Sequence, residues 1–379
     1  MPPISSTPPH GSAGERRGAV LFYSINGAGL GHLVQSLAIA RRLEGFSPVM
    51  VTTSQRADVL DRYGFPYRVV ASLGDATGRP SQEAIYSAVR RMVVEHDVCA
   101  IVADGAAWDP GLRRAWRELP QLGRIGVRRA YRLDGRQHRI AASDRDCDLL
   151  LVPHEIGSET IPLPRGPKAL WVGSIGLVDR DELLPREKAR RALGLPSEGP
   201  AVLVHLGAGA IGAGPAVRRW VLDELAGTDA VAVVASYDPT TRGTARETDH
   251  RVIHAHRFPL AQFVRAFDAA VGAAGLNTFN EFMHLGVPSL LVPNEATISD
   301  DQAARARRAE RAGAALVARE SDESAVRSGV ERLMNDAELR RRLAENASAL
   351  VPRNGAEGAA QAVASFAWDV LGRRSGPRD

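Results

Sequence analysis

The chain has 379 residues, a formal net charge of +4, 44% hydrophobic residues and 24% charged residues. This length predicts two domains, each with its own core, and the composition is typical of a globular protein. No apolar run approaches the roughly 20 residues that cross a bilayer, and no RNA- or DNA-binding motif occurs. We therefore expect neither a membrane span nor a nucleic-acid partner.

The N-terminal segment, residues 1–17, is rich in Pro, Ser and Gly and has no apolar core of the kind that a signal peptide needs. We predict that it is a disordered tail and that the protein is cytoplasmic.

Apolar runs alternate with helical patterns through the first half, which indicates parallel βαβ units. Helices are predicted near 33–43 and 84–94, and a helix-like segment over 57–63. The predicted strands are Ala19–Tyr23, Val49–Thr52, Tyr67–Val70, Cys99–Val102, Gly126–Val127 and Leu149–Val152, with the last of these closing this half.

A glycine loop, Asn26–His32, follows the first strand and includes Gly29 and Gly31. It departs from the dinucleotide-binding G-x-G-x-x-G spacing, and no acidic residue follows at the expected distance. His32 begins the next helix, where a general base can reach a ligand; the alternative is a histidine that only caps the helix. Asp104 ends a neighbouring strand and either orients His32 or caps a turn.

The pattern breaks over 153–168, where three prolines predict an interdomain linker. The βα alternation then restarts, with helices expected near 217–225, 260–267, 323–334, 337–343 and 356–371. The predicted strands of this half are Ala201–His205, Ala230–Ala235, Val252–His254, Ala269–Val271 and Ser289–Val292. Two such halves indicate an α/β protein with two Rossmann-like, doubly wound domains facing each other across a cleft.

A glycine-rich motif, Gly272–Glu281, joins a strand to a helix in the second half. Bare N–H groups at a helix N-terminus form an anion site, and this pattern indicates a nucleotide diphosphate. Glu281 lies near the first turn, within reach of a ribose. A second loop, with Gly207 and Gly209, follows the strand that ends at His205 and is a weaker candidate for lining the same pocket.

Two acidic patterns have competing interpretations. Asp301 and Gln302 stand at a helix start, where they either bind sugar hydroxyls or simply cap the helix. The run 144–148 contains Asp-x-Asp spacing, which can hold a divalent ion, although a solvated turn is favoured. We expect no tightly bound metal or other cofactor.

Taken in order, these motifs resemble the GT-B glycosyltransferases, and most closely the MurG-like family, glycosyltransferase family 28. The similarity rests on Gly27–His32 and on Phe267–Glu281, followed by Gly286–Pro288, Leu291–Pro293, Asp301-Gln302 and Ala312–Ala314. It is strong over about 255–318. The family's second Gln and its Asn after Gln302 are replaced within Ala303–Arg307, so the resemblance does not extend to N-acetylglucosamine as the donor sugar or to a peptidoglycan precursor as the acceptor.

The resemblance implies a domain division: residues 18–160 bind the acceptor, 161–350 bind the nucleotide sugar, and 351–379 form a helix that packs back on the first domain.

The resemblance also implies roles for individual residues. The backbone at Ala274, Gly275, Leu276, Asn277 and Thr278 binds the diphosphate, and Glu281 binds the ribose. The backbone around Phe258 meets the nucleobase, Asp301 and Gln302 bind the donor sugar, and His32 is the base.

The implied activity is inverting transfer of a sugar from a nucleoside diphosphate, with UDP as the expected nucleotide, to a small-molecule or lipid-linked acceptor. Secondary-metabolite and surface-glycan synthesis are both open. The alternatives are a nucleotide-sugar hydrolase on the same scaffold, a UDP-sugar epimerase, and a non-catalytic nucleotide-sugar-binding protein.

Membrane contact is a separate question. A weak peripheral contact and ordinary core packing both explain the apolar residues of 88–94 and Trp108–Trp116. The oligomeric state stays open.

Overall fold

The computed structural model describes residues 18–25, 30–71, 80–105, 108–128, 143–153, 167–207, 214–235, 251–297 and 300–375. The tail 1–17, most of the predicted linker, and the glycines Gly29 and Gly209 lie outside these ranges.

The first half forms a sheet of seven parallel strands in the order β3-β2-β1-β4-β5-β6-β7. The strands are β1 Ala19–Ser24, β2 Ser47–Thr52, β3 Tyr67–Val69, β4 Val98–Asp104, β5 Gly123–Val127, β6 Leu149–Val152 and β7 Lys168–Trp171. Its helices are α1 Gly31–Ala40, α2 Gln82–Glu95 and α3 Pro110–Glu118, with a 3-10 helix at Ala57–Tyr63. Every residue of β1 and β4 is buried, because helices cover both faces of a parallel sheet.

The expectation that Leu149–Val152 closes this half was wrong. Strand β7 pairs with β6, so the first sheet runs to Trp171, beyond the predicted boundary at residue 160. This edge strand is not fully buried at any of its four residues, and Trp171 is half exposed. It therefore lacks the apolar run of a buried strand, and the prolines before it favoured a linker.

The second half forms a six-stranded parallel sheet in the order β10-β9-β8-β11-β12-β13. The strands are β8 Ala201–His205, β9 Val231–Ala235, β10 Val252–Ala255, β11 Ala269–Gly272, β12 Ser289–Leu291 and β13 Leu316–Val317. The helices are α4 Arg186–Leu193, α5 Gly214–Leu225, α6 Leu276–Leu285, α7 Gln302–Arg311, α8 Glu323–Asn335, α9 Ala337–Leu350 and α10 Ala356–Ser375, with 3-10 helices at Arg180–Glu182 and Leu260–Ala266. The expected fold of two doubly wound domains is confirmed.

The final helix, α10, leaves the second domain and packs on the first, against α1, β4 and β5. Gly123 makes this approach possible, since a Cβ there would lie 2.6 Å from the Phe366 ring. The rings of Phe46 and Trp368 add an aromatic contact, with centroids 4.9 Å apart. Val363 and Val370 are buried in the same cluster as the core of α1.

The chain crosses between the domains twice, and the two crossings lie side by side. The backbone N–H of Gly355 donates to the Ser174 carbonyl at 2.7 Å. The Asn354 side chain accepts from the Gly176 N–H and donates to its carbonyl, both at 2.9 Å, and also reaches Asp179. The C-terminal end of α1 joins this cluster, because Arg41 donates to Glu182 at 2.8 Å.

None of the helices in the described part of the chain has the length and apolar composition that crossing a lipid bilayer requires. Trp108 and Trp116 are 7% and 3% exposed and pack edge to face in the core of the first domain. The core interpretation of these tryptophans is therefore the correct one.

Candidate active site

Strands β1 and β4 are neighbours, and Ser24 and Asp104 pair at their carboxyl ends. His32 lies at the start of α1, and its Nδ1 is 2.9 Å from Oδ1 of Asp104. The Asp104 side chain is fully buried, whereas that of His32 is 25% exposed. A carboxylate acceptor assigns the proton to Nδ1, so Nε2 is the basic nitrogen. The structure brings together the two residues that were predicted as base and orienting acid.

The second half of the site begins where β11 ends, at Gly272. Residues 273–275 follow, and α6 starts at Leu276 with Gly275 as its N-cap. Its N-cap residue is a glycine, so this residue has no side chain with which to cap the helix. Because the first N–H groups of a helix have no partner within it, they are available to an anion together with the positive end of the helix dipole.

The starts of α1 and α6 face each other across the interdomain cleft. The Asn277 side chain donates from Nδ2 to the Gly31 carbonyl at 3.0 Å. Arg62 of the first domain donates to the Phe258 carbonyl of the second at 2.7 Å. The predicted base and the predicted diphosphate motif therefore lie close together, and the Asn277 side chain is bonded to the first domain.

Glu281 is partly buried on α6, one turn beyond the start of the helix. Burial raises the pKa of its carboxyl group to about 7. The ionised carboxylate is therefore disfavoured in the ligand-free protein. Hydrogen bonds donated by two neighbouring hydroxyl groups, such as those of the predicted ribose, would stabilise this ionised form.

Gly207 follows β8 with φ of +76°, a conformation that favours glycine, and none of the described residues beyond its chain neighbours has an atom within 4 Å of a Cβ built there. Strand β8 pairs with β11, so Gly207 follows the strand next to the diphosphate motif.

Asp301 and Gln302 stand at the start of α7, beside a pocket of about 510 Å³. Asp301 accepts from the Ala304 N–H at 3.0 Å, so it caps the helix as the alternative interpretation had it. Gln302 is buried, and its Oε1 accepts from the Asn294 N–H at 3.0 Å. Its Nε2 lies 3.8 Å from a Cβ built on Gly275, which places this side chain between two loops of the site. Sugar binding by either residue stays a prediction.

The Asp-x-Asp run is not a simple solvated turn. Asp144 pairs with Arg128 at 3.1 Å, Asp146 with Arg113 at 2.9 Å and Asp148 with Arg124 at 2.6 Å. Asp144 is buried, and burial raises its pKa to about 6 although the nearby Arg128 opposes the shift. Each carboxylate has an arginine partner, and the described residues contain no group of three or more acidic, His or Cys side chains suited to a metal ion.

Sequence reasoning missed two residues at this site, His205 and Arg305. His205 ends β8, and its Nδ1 lies 3.5 Å from the Thr278 hydroxyl. Burial lowers its pKa to about 4, so it is neutral at physiological pH. Arg305 is 4% exposed and lies behind the diphosphate motif. The available signal was its helical spacing, since Gln302, Arg305 and Ala309 share the buried face of α7.

The sequence comparisons agree with the second half of this site. Residues 241–363 match the family model described as the glycosyltransferase family 28 C-terminal domain. A UDP-N-acetylglucosamine--N-acetylmuramyl-(pentapeptide) pyrophosphoryl-undecaprenol N-acetylglucosamine transferase of Salinibacter ruber is 32% identical over 190 residues, or 48% of this chain and 50% of that protein. The chain spans about half the length of this and two other curated relatives that it matches.

Solved structures extend the likeness over both domains. MurG of Acinetobacter baumannii has a TM-score of 0.55 at 17% identity, covering 93% of this chain and 99% of that chain. The spinosyn rhamnosyltransferase SpnG complexed with thymidine diphosphate has a TM-score of 0.58 at 16% identity, covering 91% and 99%. At sequence identities this low, the structural similarity shows only that the folds are alike. The chain therefore has a GT-B fold and carries a glycosyltransferase family 28 C-terminal domain over residues 241–363.

Proposed function

We propose that this protein is an inverting glycosyltransferase that moves a sugar from a nucleoside diphosphate to a small-molecule or lipid-linked acceptor. One observation carries the proposal. The His32–Asp104 pair and the uncapped start of α6 face each other across a single cleft, joined by the Asn277 contact to Gly31. A general base and an anion site that face one cleft are what a displacement at a sugar carbon requires.

The reaction follows from this geometry. The acceptor hydroxyl or amine loses its proton to Nε2 of His32 as its oxygen or nitrogen attacks the anomeric carbon. The bond from that carbon to the diphosphate oxygen breaks, and its electron pair leaves with the diphosphate. Asp104 stabilises the imidazolium that forms, and the N–H groups at the start of α6 stabilise the charge on the leaving group. Attack opposite to the leaving group inverts the configuration.

The donor roles are carried by residues of the second domain. The backbone of 274–278 binds the diphosphate, with Gly207 on the neighbouring strand end. Glu281 binds the ribose, and the backbone around Phe258 contacts the nucleobase. Gln302 and Asp301 bind the donor sugar. UDP is the first nucleotide to test because the Salinibacter ruber relative is named for a UDP-sugar. TDP is the second because it occupies the SpnG structure.

The experiment has two steps. A thermal-shift screen across UDP, TDP, GDP and the corresponding nucleosides identifies the donor nucleotide, since a ligand raises the unfolding temperature by mass action. The matching nucleotide sugars are then incubated with panels of small-molecule and lipid-linked acceptors, and without an acceptor. Transfer to an acceptor with an inverted anomeric centre supports the proposal. Rapid, complete release of free sugar without an acceptor identifies a hydrolase instead, and nucleotide binding with no turnover identifies a binding protein.

Gly275→Ala separates ligand binding from folding. Gly275 has φ of −61°, which alanine adopts readily, and among the described residues beyond its chain neighbours a built Cβ approaches only Nε2 of Gln302, at 3.8 Å. We expect the free energy of unfolding to change by less than about 0.5 kcal/mol. Affinity for UDP is expected to fall about tenfold, because the methyl group occupies the space through which the diphosphate approaches.

Gly272→Ala is the matched control for that variant. A Cβ at Gly272 meets the Phe282 ring at 2.7 Å. This clash is expected to lower the free energy of unfolding by about 1–3 kcal/mol, measured by urea denaturation. Unchanged UDP affinity in folded Gly275→Ala, measured by calorimetry, contradicts the placement of the diphosphate.

Glu281→Gln is expected to stabilise the ligand-free protein while weakening donor binding. Burial raises the folded-state pKa of Glu281 to about 7, so its ionised form destabilises the fold. The destabilisation is absent below the unfolded-state pKa, grows as the pH rises from there to about 7, and is complete above that pH. The free energy of unfolding of the variant is therefore expected to exceed that of the parent protein by on the order of 1 kcal/mol at pH 8 and to equal it near pH 4. UDP affinity falls about tenfold, because an amide accepts from one ribose hydroxyl rather than two.

Thermal unfolding at both pH values and calorimetry with UDP measure these two effects. Glu331→Gln, at an exposed position on α8, is the control and is expected to change neither quantity. Equal stability of Glu281→Gln and the parent protein at pH 8 is incompatible with a destabilising carboxylate.

A further inference from the structure

Arg305 lies on the buried face of α7, with 4% of its surface exposed. Its Nη1 donates to the Ala274 carbonyl at 2.6 Å, and its Nη2 donates to Oδ1 of Asp300 at 2.7 Å. The guanidinium carbon is 5.9 Å from the centre of the Phe279 ring. One side chain thus contacts the loop that precedes α6, the loop that precedes α7 and the core of α6.

The contact with Ala274 sets the direction of the next peptide N–H. In a trans peptide the C=O and the following N–H point in opposite directions. Since the Ala274 carbonyl points to Arg305, the N–H of Gly275 points away from it. Ala274 is fully buried and Gly275 partly exposed, so this N–H is directed toward the open side of the loop. Arg305 therefore holds the first donor of the diphosphate site in place.

Arg305 also places a positive charge behind that donor. A guanidinium keeps its charge at any physiological pH, and a charge out of contact with water is weakly screened. Its partner Asp300 has a side chain that is 33% exposed, against 5% for Arg305. Water therefore screens the carboxylate more than the guanidinium, and a net positive potential remains at the loop.

We propose that Arg305 is a positioning residue for the donor diphosphate, which fixes the 273–275 loop and supplies a buried positive charge behind it. This inference rests on the proposed function. It predicts that Arg305 acts on the charged part of the donor and has no effect on the nucleoside part, since the Phe258 and Glu281 contacts lie elsewhere.

The test compares UDP with uridine by calorimetry, or TDP with thymidine if the screen selects TDP. Arg305→Gln is expected to weaken UDP binding about 10- to 100-fold. Its affinity for uridine is expected to stay within about twofold of that of the parent protein. Arg305→Lys keeps the charge and loses part of the fork of hydrogen bonds, so about a 3- to 10-fold loss for UDP is expected. Arg308→Gln, at an exposed position on the same helix, is the control and is expected to change neither affinity.

Asp300→Asn keeps the proposal testable even if Arg305 variants fold poorly. It retains an acceptor for Arg305 and removes the opposing negative charge, so UDP binding is expected to strengthen about 2- to 5-fold with uridine unchanged. A purely structural role predicts instead that Asp300→Asn weakens UDP as Arg305→Gln does, or that UDP and uridine lose affinity by the same factor. Either result overturns the inference. If the unmodified protein binds no nucleoside diphosphate, the proposed function itself fails.

Discussion

His32→Ala is expected to lower the rate of sugar transfer by about 100- to 10,000-fold, the range for removal of a general base. The effect is expected in kcat, because the side chain contacts the attacking group rather than the nucleotide. The thermal shift with UDP is expected to stay as in the parent protein. Initial rates with the identified donor and acceptor measure the change.

Asp104→Asn is expected to cause a loss of similar size by a different route. An asparagine carboxamide keeps the shape of the carboxylate at 2.9 Å from Nδ1, but it cannot stabilise the imidazolium and allows the wrong tautomer. His96→Ala, at the amino ends of β1 and β4 beside Ala19 and Asp97, is the control and should transfer sugar at the parent rate. Undiminished transfer by His32→Ala removes this residue from the mechanism.

Gly355→Ala is expected to lower the free energy of unfolding by about 3 kcal/mol, at the upper end of the usual range for overpacking. A Cβ at this position lies 2.0 Å from the Val172 carbonyl oxygen and 2.6 Å from that of Gly173. Both obstacles are backbone atoms of the first crossing, so no side-chain rotation relieves the clash. Urea denaturation measures the loss.

Gly358→Ala is the matched control, three residues further along. It lies inside α10, where nothing is within 4 Å of a built Cβ. Alanine is a better helix former than glycine, so this variant is expected to gain about 0.5–1 kcal/mol. If the two variants have the same stability, the crossings are not in close contact.

The sequence predicted most of the fold because parallel strands buried on both faces are continuous apolar runs. Ala19–Tyr23 and Leu149–Val152 are clear examples, and both are strands in the structure. Strand β7 was missed because it is an edge strand that is not buried on both faces, so it has no continuous apolar run. The segment 57–63 has helical spacing but forms a 3-10 helix, a difference of hydrogen bonding that periodicity does not distinguish.

The candidate site was predicted only where chemistry coincides with the end of a strand. Asp104 ends β4 and His32 begins the helix that follows β1, and the carboxyl ends of neighbouring parallel strands lie at the same end of the sheet. Asp301 shows the limit of this reasoning, because a capping carboxylate and a sugar ligand have the same sequence signature. Arg305 was missed because the charge of an arginine normally indicates an exposed position, and the carbonyl that compensates its burial is 31 residues away in the chain.

The paired crossings between the domains have a mechanical consequence. Two adjacent connections define a rotation axis, so the domains can swing about it while sliding and twisting are resisted. Helix α1 extends from this axis at Arg41 to the cleft at Gly31, and its 10 residues span about 15 Å. A swing of about 10° therefore displaces Gly31 by up to roughly 2.6 Å. We expect a displacement of this size to break the bond between the Gly31 carbonyl and Asn277 and to widen the cleft, and the ion pairs of Arg41 and Arg42 near the axis to persist.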